Sequence, residues 1–441
     1  MAYKKYLIFF TLLFLFFSFI LYLKVPSVNS HRDIDSSAYI SNAVRFYHNN
    51  SFFNQDNPND IPYYSLGYAF FIGLIYKFFG INDFFVIWLQ VLLALLTAFL
   101  IFRTTKYIFG FRTALISYAF FSINLGFIVF SQFLLTEILL AFLLTFFFER
   151  FVLFISNKKL TNLAQAALLL GISIYVKPAA IYFIFLIIPF LMIFISGDFF
   201  YRSKIVLFFT LFFYLPVVGY MLFNQITFGQ FSVVPLGNEN LYFYFFPKVL
   251  AKEKRTDVAI ETRYLHSLLR GNKLNKDNWK DIEDLFLFYF KKNPIVFIKV
   301  WLINVLKTCV GLFTTNLKVL VEPEVRGGDI SFFKTSGTVL QRIWNYIMGG
   351  TDSWCIKFVG LFEALWSILR YVFCLISILF LILKKRWRIL TLFALYLFYF
   401  SMITGHDGCA RFRMMFESIL IILAAQGACM VFSYKLRLRD E

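Results

Sequence analysis

Charge is what this 441-residue chain has least of: Asp, Glu, Lys and Arg together make up only 15% of it. Soluble globular chains carry roughly a quarter charged residues and are about half apolar. Here the apolar share is 60%, which excludes a soluble globular enzyme. Disorder is excluded too, because it needs low hydrophobicity. Acids are scarcer than bases, with 25 Asp and Glu against 43 Lys and Arg and a formal net charge of +18. Cysteine is sparse as well. Cys309, Cys355, Cys374, Cys409 and Cys429 show no zinc-finger spacing, and their odd number gives no disulfide framework. The chain also lacks a P-loop, a dinucleotide fingerprint, an HExxH motif and a serine nucleophile elbow. Acids and histidines on outer loops could ligate a divalent metal, but no spacing is diagnostic, so no metal or other cofactor is assigned.

What is abundant is apolar surface, including 63 phenylalanines. A basic excess on such a chain points to a membrane before a nucleic acid, since Lys and Arg collect on the cytoplasmic side of membrane proteins. No nucleic-acid partner is expected. After Lys4 and Lys5 comes an apolar stretch from Tyr6 to Tyr22, longer than the core of a secretory signal and without a small-residue cleavage site. It reads as a retained first span. Further apolar stretches fall near 84–102, 113–131, 138–155, 161–176, 180–197, 205–224, 359–383, 389–404 and 414–433, each close to the ~20 residues that cross ~30 Å of hydrocarbon. Segments 64–80 and 295–316 are ambiguous.

Parity separates them. Basic clusters lie at Arg103/Lys106/Arg112, Lys158/Lys159, Arg202/Lys204, Lys384/Lys385/Arg386/Arg388 and Lys435/Arg437/Arg439. All face the same side as Lys4 and Lys5 only if neither ambiguous segment spans. The expectation is an all-α polytopic membrane protein with about ten transmembrane helices, both termini cytoplasmic, interfacial helices and an outer-side loop domain. It divides into a membrane module 1–224, with a first outer loop 24–83, an outer-side region 225–358, and the closing helices 359–441.

Charges left on the outer side are the candidates for chemistry. His31-Arg32-Asp33-Ile34-Asp35 precedes a helical pattern with Ile40, Ala43, Val44 and Tyr47 on one face. Asp35 or Ser36 caps that helix, or Asp35 is a general base held above the membrane. Thr136 and Glu137 either cap the fourth span or place an acid at an apolar boundary for a purpose. Lys177-Pro178 marks an outer turn where the lysine snorkels or binds a lipid phosphate. Gly80 with Lys77 reads as an ordinary helix C-terminus. His406, Arg411 and Arg413 stand in the last outer loop, and guanidinium forks match phosphate oxygens.

Four features in chain order resemble the GT-C membrane glycosyltransferases, the broad group of the protein O-mannosyltransferases and the aminoarabinose transferases of lipid A. They are Asp35-Ser36-x-x-Tyr39 with Ala43; Tyr64-Ser65-Leu66-Gly67-Tyr68 running to Gly80; Leu135-Thr136-Glu137 followed by Gly171 to Lys177-Pro178; and Ala410-Arg411-Phe412-Arg413. The likeness covers most of residues 1–200 and the final 80, and is weak over 225–358. It implies a GT-C-like fold, with 64–80 a non-spanning helix. It implies a polyprenyl-phosphate-linked sugar donor, a glycan, lipid or protein acceptor, inversion at the sugar, and a multi-pass protein of a bacterial inner or plasma membrane with its active site outside. Among site residues it implies Asp35 as base, with Asp33 and Glu137 as further acids. Tyr39, Tyr64, Lys177, His406, Arg411 and Arg413 would hold substrate. The chain departs from the pattern where an Asp-Glu pair reads Asp35-Ser36 and where an arginine before Pro178 is Lys177. A multi-span transporter, or a lipid-linked sugar flippase or ligase, is the competing class. The transporter reading expects charged or polar groups buried mid-span and broken helices near the midplane; the spans here read as almost free of such groups, with the acids at the outer boundary.

Overall fold

The computed structural model describes residues 2–33, 35–52, 64–233, 240–268, 280–322, 338, 341, 342, 344, 345, 348 and 352–437. Pro62, Tyr63 and Arg439 lie outside the described residues. Every regular element among them is helical. The first membrane helix, α1 (Ala2–Lys24), leads through a short 3-10 turn to α2 (Ser36–Asn49) and α3 (Gly67–Phe79). The helices α4 (Asp83–Phe109), α5 (Phe111–Ser122), α6 (Leu125–Phe130), α7 (Glu137–Asn157), α8 (Leu160–Val176), α9 (Ile184–Phe194) and α10 (Phe199–Phe228) complete the first half. The region expected on the outer side holds α11 (Phe246–Lys254), α12 (Val258–Ser267), α13 (Lys280–Lys292), α14 (Pro294–Val310) and α15 (Thr314–Val321). The chain closes with α16 (Trp354–Leu383), α17 (Trp387–Met402) and α18 (Met414–Arg437).

Among the described residues, seven helices are long and apolar enough to cross a membrane: α1, α4, α7, α10, α16, α17 and α18; the bent pair α13 and α14, taken together, would be an eighth. Three other expected spans take different forms. Segment 113–131 is broken at Asn124, whose side chain accepts from Phe127 N at 3.2 Å and starts α6 afresh. Segments 161–176 and 180–197 correspond to apolar helices of 17 residues each, Leu160–Val176 and Pro178–Phe194, the second opening as a 3-10 turn after Lys177. A 17-residue α-helix is about 25 Å long. At 13 residues, or about 20 Å, α3 is too short to span. Between α13 and α14 the chain turns through 101°.

α7 and α18 are buried on most sides and form the centre of the bundle, with α4, α5, α8 and α16 around them. α1 presents most of its surface outward. The periodicity of α16 shows how such a chain sorts itself. Leu361, Leu365, Ile368, Val372, Leu375 and Leu379 make an exposed apolar stripe for lipid. Glu363, Ser367, Arg370, Cys374 and Ser377 make the buried stripe on the opposite face. Both follow the helical period, but the polar side points inward, the reverse of a soluble helix.

The spans are therefore not nearly free of charge. Glu149, Glu363, Arg370 and Glu417 are all buried within long helices. An ion in hydrocarbon is tolerated when it pairs inside the protein. Glu149 pairs with Arg103 at 2.9 Å and with Arg150 at 3.0 Å; Glu417 pairs with Arg370.

Where α18 crosses α16, Gly427 lies directly under the Phe373 carbonyl. A Cβ there would stand 1.9 Å from that oxygen. Small residues of this kind let membrane helices approach closely. Gly427→Ala is expected to cost about 1–3 kcal/mol by overpacking, visible as a lowered thermal unfolding midpoint in detergent.

Candidate active site

The helix ends around the candidate residues are tied together before any candidate side chain is placed. His31, ahead of α2, sets Nδ1 2.7 Å from the Gln132 carbonyl, and Leu134 N donates back to the His31 carbonyl at 3.0 Å. Arg32 Nε donates to Asp83 at 2.9 Å, while Tyr76 of α3 donates its hydroxyl to the other oxygen of the same carboxylate. Gln90 of α4 is fully buried. It accepts from the Tyr68 hydroxyl at 2.7 Å and donates to the carbonyls of Ser131 and Phe133 at 3.2 and 2.8 Å. The non-helical 131–136 stretch thus has its backbone groups answered by side chains, as buried carbonyls require. That stretch delivers Glu137.

The last loop is laid along α14. Trp301 Nε1 donates to the Met402 carbonyl at 2.9 Å, and Asn304 Nδ2 to the Gly405 carbonyl at 2.9 Å. Gly408 has φ +80°, and a Cβ there would meet Asn304 at 2.9 Å, so glycine is required on both counts. A 3-10 turn, Ala410–Arg413, then hands the chain to α18.

These restraints surround a cavity of about 540 Å³ lined by Asp35, Tyr39, Tyr64, Glu137, Lys177, His406 and Arg411, among others. Arg411 is its hub. It pairs with Asp35, and its guanidinium lies 3.7 Å from Glu137 and 3.8 Å from Asp33. Lys177 Nζ sits 3.6 Å from the same Glu137 oxygen and 4.2 Å from the centroid of the Phe412 ring. The Tyr64 hydroxyl donates to Asp35 at 3.0 Å. Residues from 33 to 411 converge here, a joining no local pattern dictates.

The capping alternatives resolve on geometry. Asp35 occupies the N-cap position of α2, but its carboxylate makes no capping bond and faces Arg411 and Tyr64 instead. Thr136 likewise holds the N-cap of α7 without a side-chain cap, leaving buried Glu137 in the first turn. Gly80 ends α3 with its N–H on the Tyr76 carbonyl at 2.8 Å, as an ordinary C-terminus.

Burial raises the Asp35 carboxyl, but the neighbouring Arg411 charge and the bonds from Arg411 and Tyr64 outweigh it and leave the pKa below its ordinary 3.8. Burial lowers the Lys177 ammonium, opposed chiefly by Glu137. Tyr39 is held far above the usual phenol range by burial and by Glu137 and Asp35, so it stays a neutral hydroxyl. His406 Nδ1 lies 3.0 Å from the Ile403 carbonyl, an acceptor, so that nitrogen carries the proton.

Of the nine residues named from sequence, Asp33 and Arg413 do not line the cavity; Asp33 lies 3.8 Å from Arg411, which does. Arg413 is fully buried and turned into the bundle, where it pairs with Glu417 at 3.0 Å. The phosphate-binding expectation for Arg413 does not match that placement. Sequence reading missed Lys248, whose Nζ donates to the Asp407 carbonyl and carboxylate at 2.6 and 2.9 Å, and Asn240 and Tyr244, which line the cavity. All three belong to the outer-side region, where no motif marked them. A second cavity, of about 580 Å³ and walled mainly by apolar side chains such as Phe46, Leu143, Ile172 and Phe223, shares Val176 with the first. Among the described residues, no three His, Cys, Asp or Glu side chains are disposed to hold a metal ion.

Residues 62–224, rather more than a third of the chain, match the family described as dolichyl-phosphate-mannose-protein mannosyltransferase. No curated protein matches the chain in sequence. Among solved structures, it is similar to the archaeal oligosaccharyltransferase AglB from Archaeoglobus fulgidus in complex with an inhibitory peptide and a dolichol-phosphate. The TM-score is 0.54 at 13% identity, over 99% of this chain and 51% of that one. The apo form of the Archaeoglobus fulgidus enzyme gives the same TM-score at 14% identity, with the same coverage. ArnT from Cupriavidus metallidurans bound to undecaprenyl phosphate gives a TM-score of 0.42 at 12% identity, over 94% of this chain and 77% of that one. The chain spans about half the length of the archaeal oligosaccharyltransferase. The likeness to AglB shows the fold: this is a GT-C architecture.

A carboxylate with a lowered folded pKa stabilises the fold above its unfolded value, and that contribution is lost as pH falls through the folded value. The acid limb of the thermal midpoint, from about pH 4 downward, therefore contains an Asp35 component. Asp35→Asn is expected to flatten that limb relative to the wild type. An unchanged limb would contradict the Asp35–Arg411 pairing.

Proposed function

We propose that this protein is a membrane glycosyltransferase. It moves a sugar from a polyprenyl-phosphate-linked donor to an acceptor at the outer face of a bacterial inner or plasma membrane, through ten crossings with both termini cytoplasmic. One observation carries the reading: carboxylates from two loops and cations from two others meet in one cavity at the helix ends of a GT-C fold. The like facing of the basic clusters supports the orientation. The apolar cavity sharing Val176 suits the hydrocarbon part of a lipid donor, whose phosphate would then reach Lys177 and Arg411.

The chemistry follows from the charges. The acceptor attacks the anomeric carbon from the side opposite the phosphate, with inversion. The C–O bond to phosphate breaks, and the phosphate leaves as an anion that needs no protonating acid. Lys177 and Arg411 neutralise the charge that grows on it. Asp35 takes the acceptor's proton, or orients the acceptor if that is already a phosphate. Tied to Arg411, Asp35 is a weak base. A donor phosphate competing for Arg411 would release its carboxylate, so base strength would rise only when donor is in place. Tyr64 holds Asp35 in direction, and Glu137 keeps Lys177 charged. Tyr39 and His406 supply hydrogen bonds to substrate. Asp33 is a third carboxylate beside Arg411, after Asp35 and Glu137.

A transporter would place its ionisable groups along a passage. The buried charges Glu149, Glu363, Arg370 and Glu417 pair with neighbouring side chains, and none lines the 540 Å³ cavity. That favours transfer at one face over passage between two.

Glycolipids and glycoproteins from cells with and without the gene, compared by mass spectrometry, are expected to differ by one sugar residue on one acceptor class. No difference would sink the transferase reading. Complementation with Asp35→Asn, inserted at wild-type level, is expected to lower product formation at least ~100-fold. Lys177→Ala is expected to raise the donor concentration needed for half-maximal product. Full activity of Asp35→Asn would remove that residue as the base.

A further inference from the structure

We propose that the buried charges Arg413, Glu417, Glu363 and Arg370 are a positioning device for Arg411, and that Arg413 serves the reaction without touching substrate. The inference rests on the reading of Arg411 as the donor-phosphate ligand.

Arg413 has the fuller set of partners of the two arginines in the turn. Its Nε donates to Glu417 at 3.0 Å, and its Nη1 donates to the carbonyls of both Cys309 and Gly311 at 3.0 and 2.6 Å. Glu363 lies 3.6 Å away, and the guanidinium covers the Phe313 ring at 4.1 Å. Glu417 also accepts from Arg370 and from Asn124 at 2.7 Å. Glu363 accepts from Phe313 N, Thr314 N and the Thr314 hydroxyl at 2.6–2.8 Å, binding the start of α15 to α16. Two cations and two anions cancel, and the main elements around the last loop are represented: the end of α14, the start of α15, α16 and α18.

Stability alone does not call for this. Desolvating four charges is expensive, and apolar residues of similar size often serve a core as well or better. What the quartet supplies is direction. A 3-10 helix has three residues per turn, so positions 411 and 413 project about 120° apart, onto different faces of the turn. With Arg413 held inward on five groups, the face that carries Arg411 is turned to the cavity. Phe412, buried between them, carries Lys177 on its ring, so the turn sets the second cation as well. The pairing of Arg413 with the carbonyls of Cys309 and Gly311 also neutralises the negative end of α14, so the outer-side region is fastened to the same point.

The test uses the full-length protein in lipid nanodiscs and the variant Glu417→Gln, which keeps the shape and the Asn124 contact but loses the charge. Arg413→Lys, which keeps the charge but loses the fork, is the second variant should the first not fold. Carbodiimide labelling of Asp35 against pH, read by mass spectrometry, reports the Arg411–Asp35 contact without any donor. Arg411→Ala is expected to shift the labelling midpoint upward, and Glu417→Gln to shift it in the same direction. Undecaprenyl phosphate binding is expected to weaken about tenfold in Glu417→Gln, with no further loss when Glu417→Gln is added to Arg411→Ala. A wild-type labelling midpoint in both Glu417→Gln and Arg413→Lys, or losses that add in the double variant, overturns the positioning role. If labelling shifts as expected but wild type and Arg411→Ala bind undecaprenyl phosphate equally, the positioning of Arg411 stands and the donor reading falls.

Discussion

A charge in an apolar bundle has to find its partner inside the protein, and the architecture of this chain follows from how that requirement is met. Bulk water is not at hand to screen Arg413, Arg370, Glu417 or Glu363, so each must lie against an opposite charge or a row of carbonyls. Meeting those demands brings the end of α14, the start of α15, α16 and α18 to one point. The turn that carries Arg411 is attached there. From that turn, Arg411 reaches Asp35 across almost the whole chain and draws the first outer loop to the last.

Residues from the 225–358 region take part in the cavity and its surroundings. Through Trp301 and Asn304, α14 supplies the rail on which the last loop lies, and Lys248 of α11 fixes Asp407. Asn240 and Tyr244 reach the cavity itself. The division at residue 225 is one of composition; mechanically, the region is part of the site. The cations of the cavity are also answered from within the protein: Asp33, Asp35 and Glu137 lie against Arg411, and Glu137 against Lys177.

Much of the fold was legible because apolar runs of about 20 residues have few alternatives in a membrane. α1, α4, α7, α10, α16, α17 and α18 fall where hydropathy places them. The break at Asn124 was not legible, because it depends on Glu417, nearly 300 residues away, accepting the asparagine's amide. The polar stripe Glu363, Ser367, Arg370, Cys374 and Ser377 was present in the letters at helical spacing. Averaging hydropathy over the window hid it, and only the inward direction of that face gives it meaning. Gln90 and Asp83 had no motif at all, since their partners are backbone carbonyls and side chains from other loops.

What the sequence by itself determined was chemical type and position along the chain: a membrane protein, and the few charges that stand apart from its basic clusters. Local physics suffices for these, because the cost of a charge in lipid acts on each segment separately. Which of those charges share a site was decided only by the tertiary structure. Arg411 and Arg413 are two letters apart and chemically identical, yet one lines the cavity and the other braces the bundle. No local rule separates them. The difference arises because a 3-10 turn puts positions two apart on different faces, about 120° from each other, and packing decides which face meets the bundle.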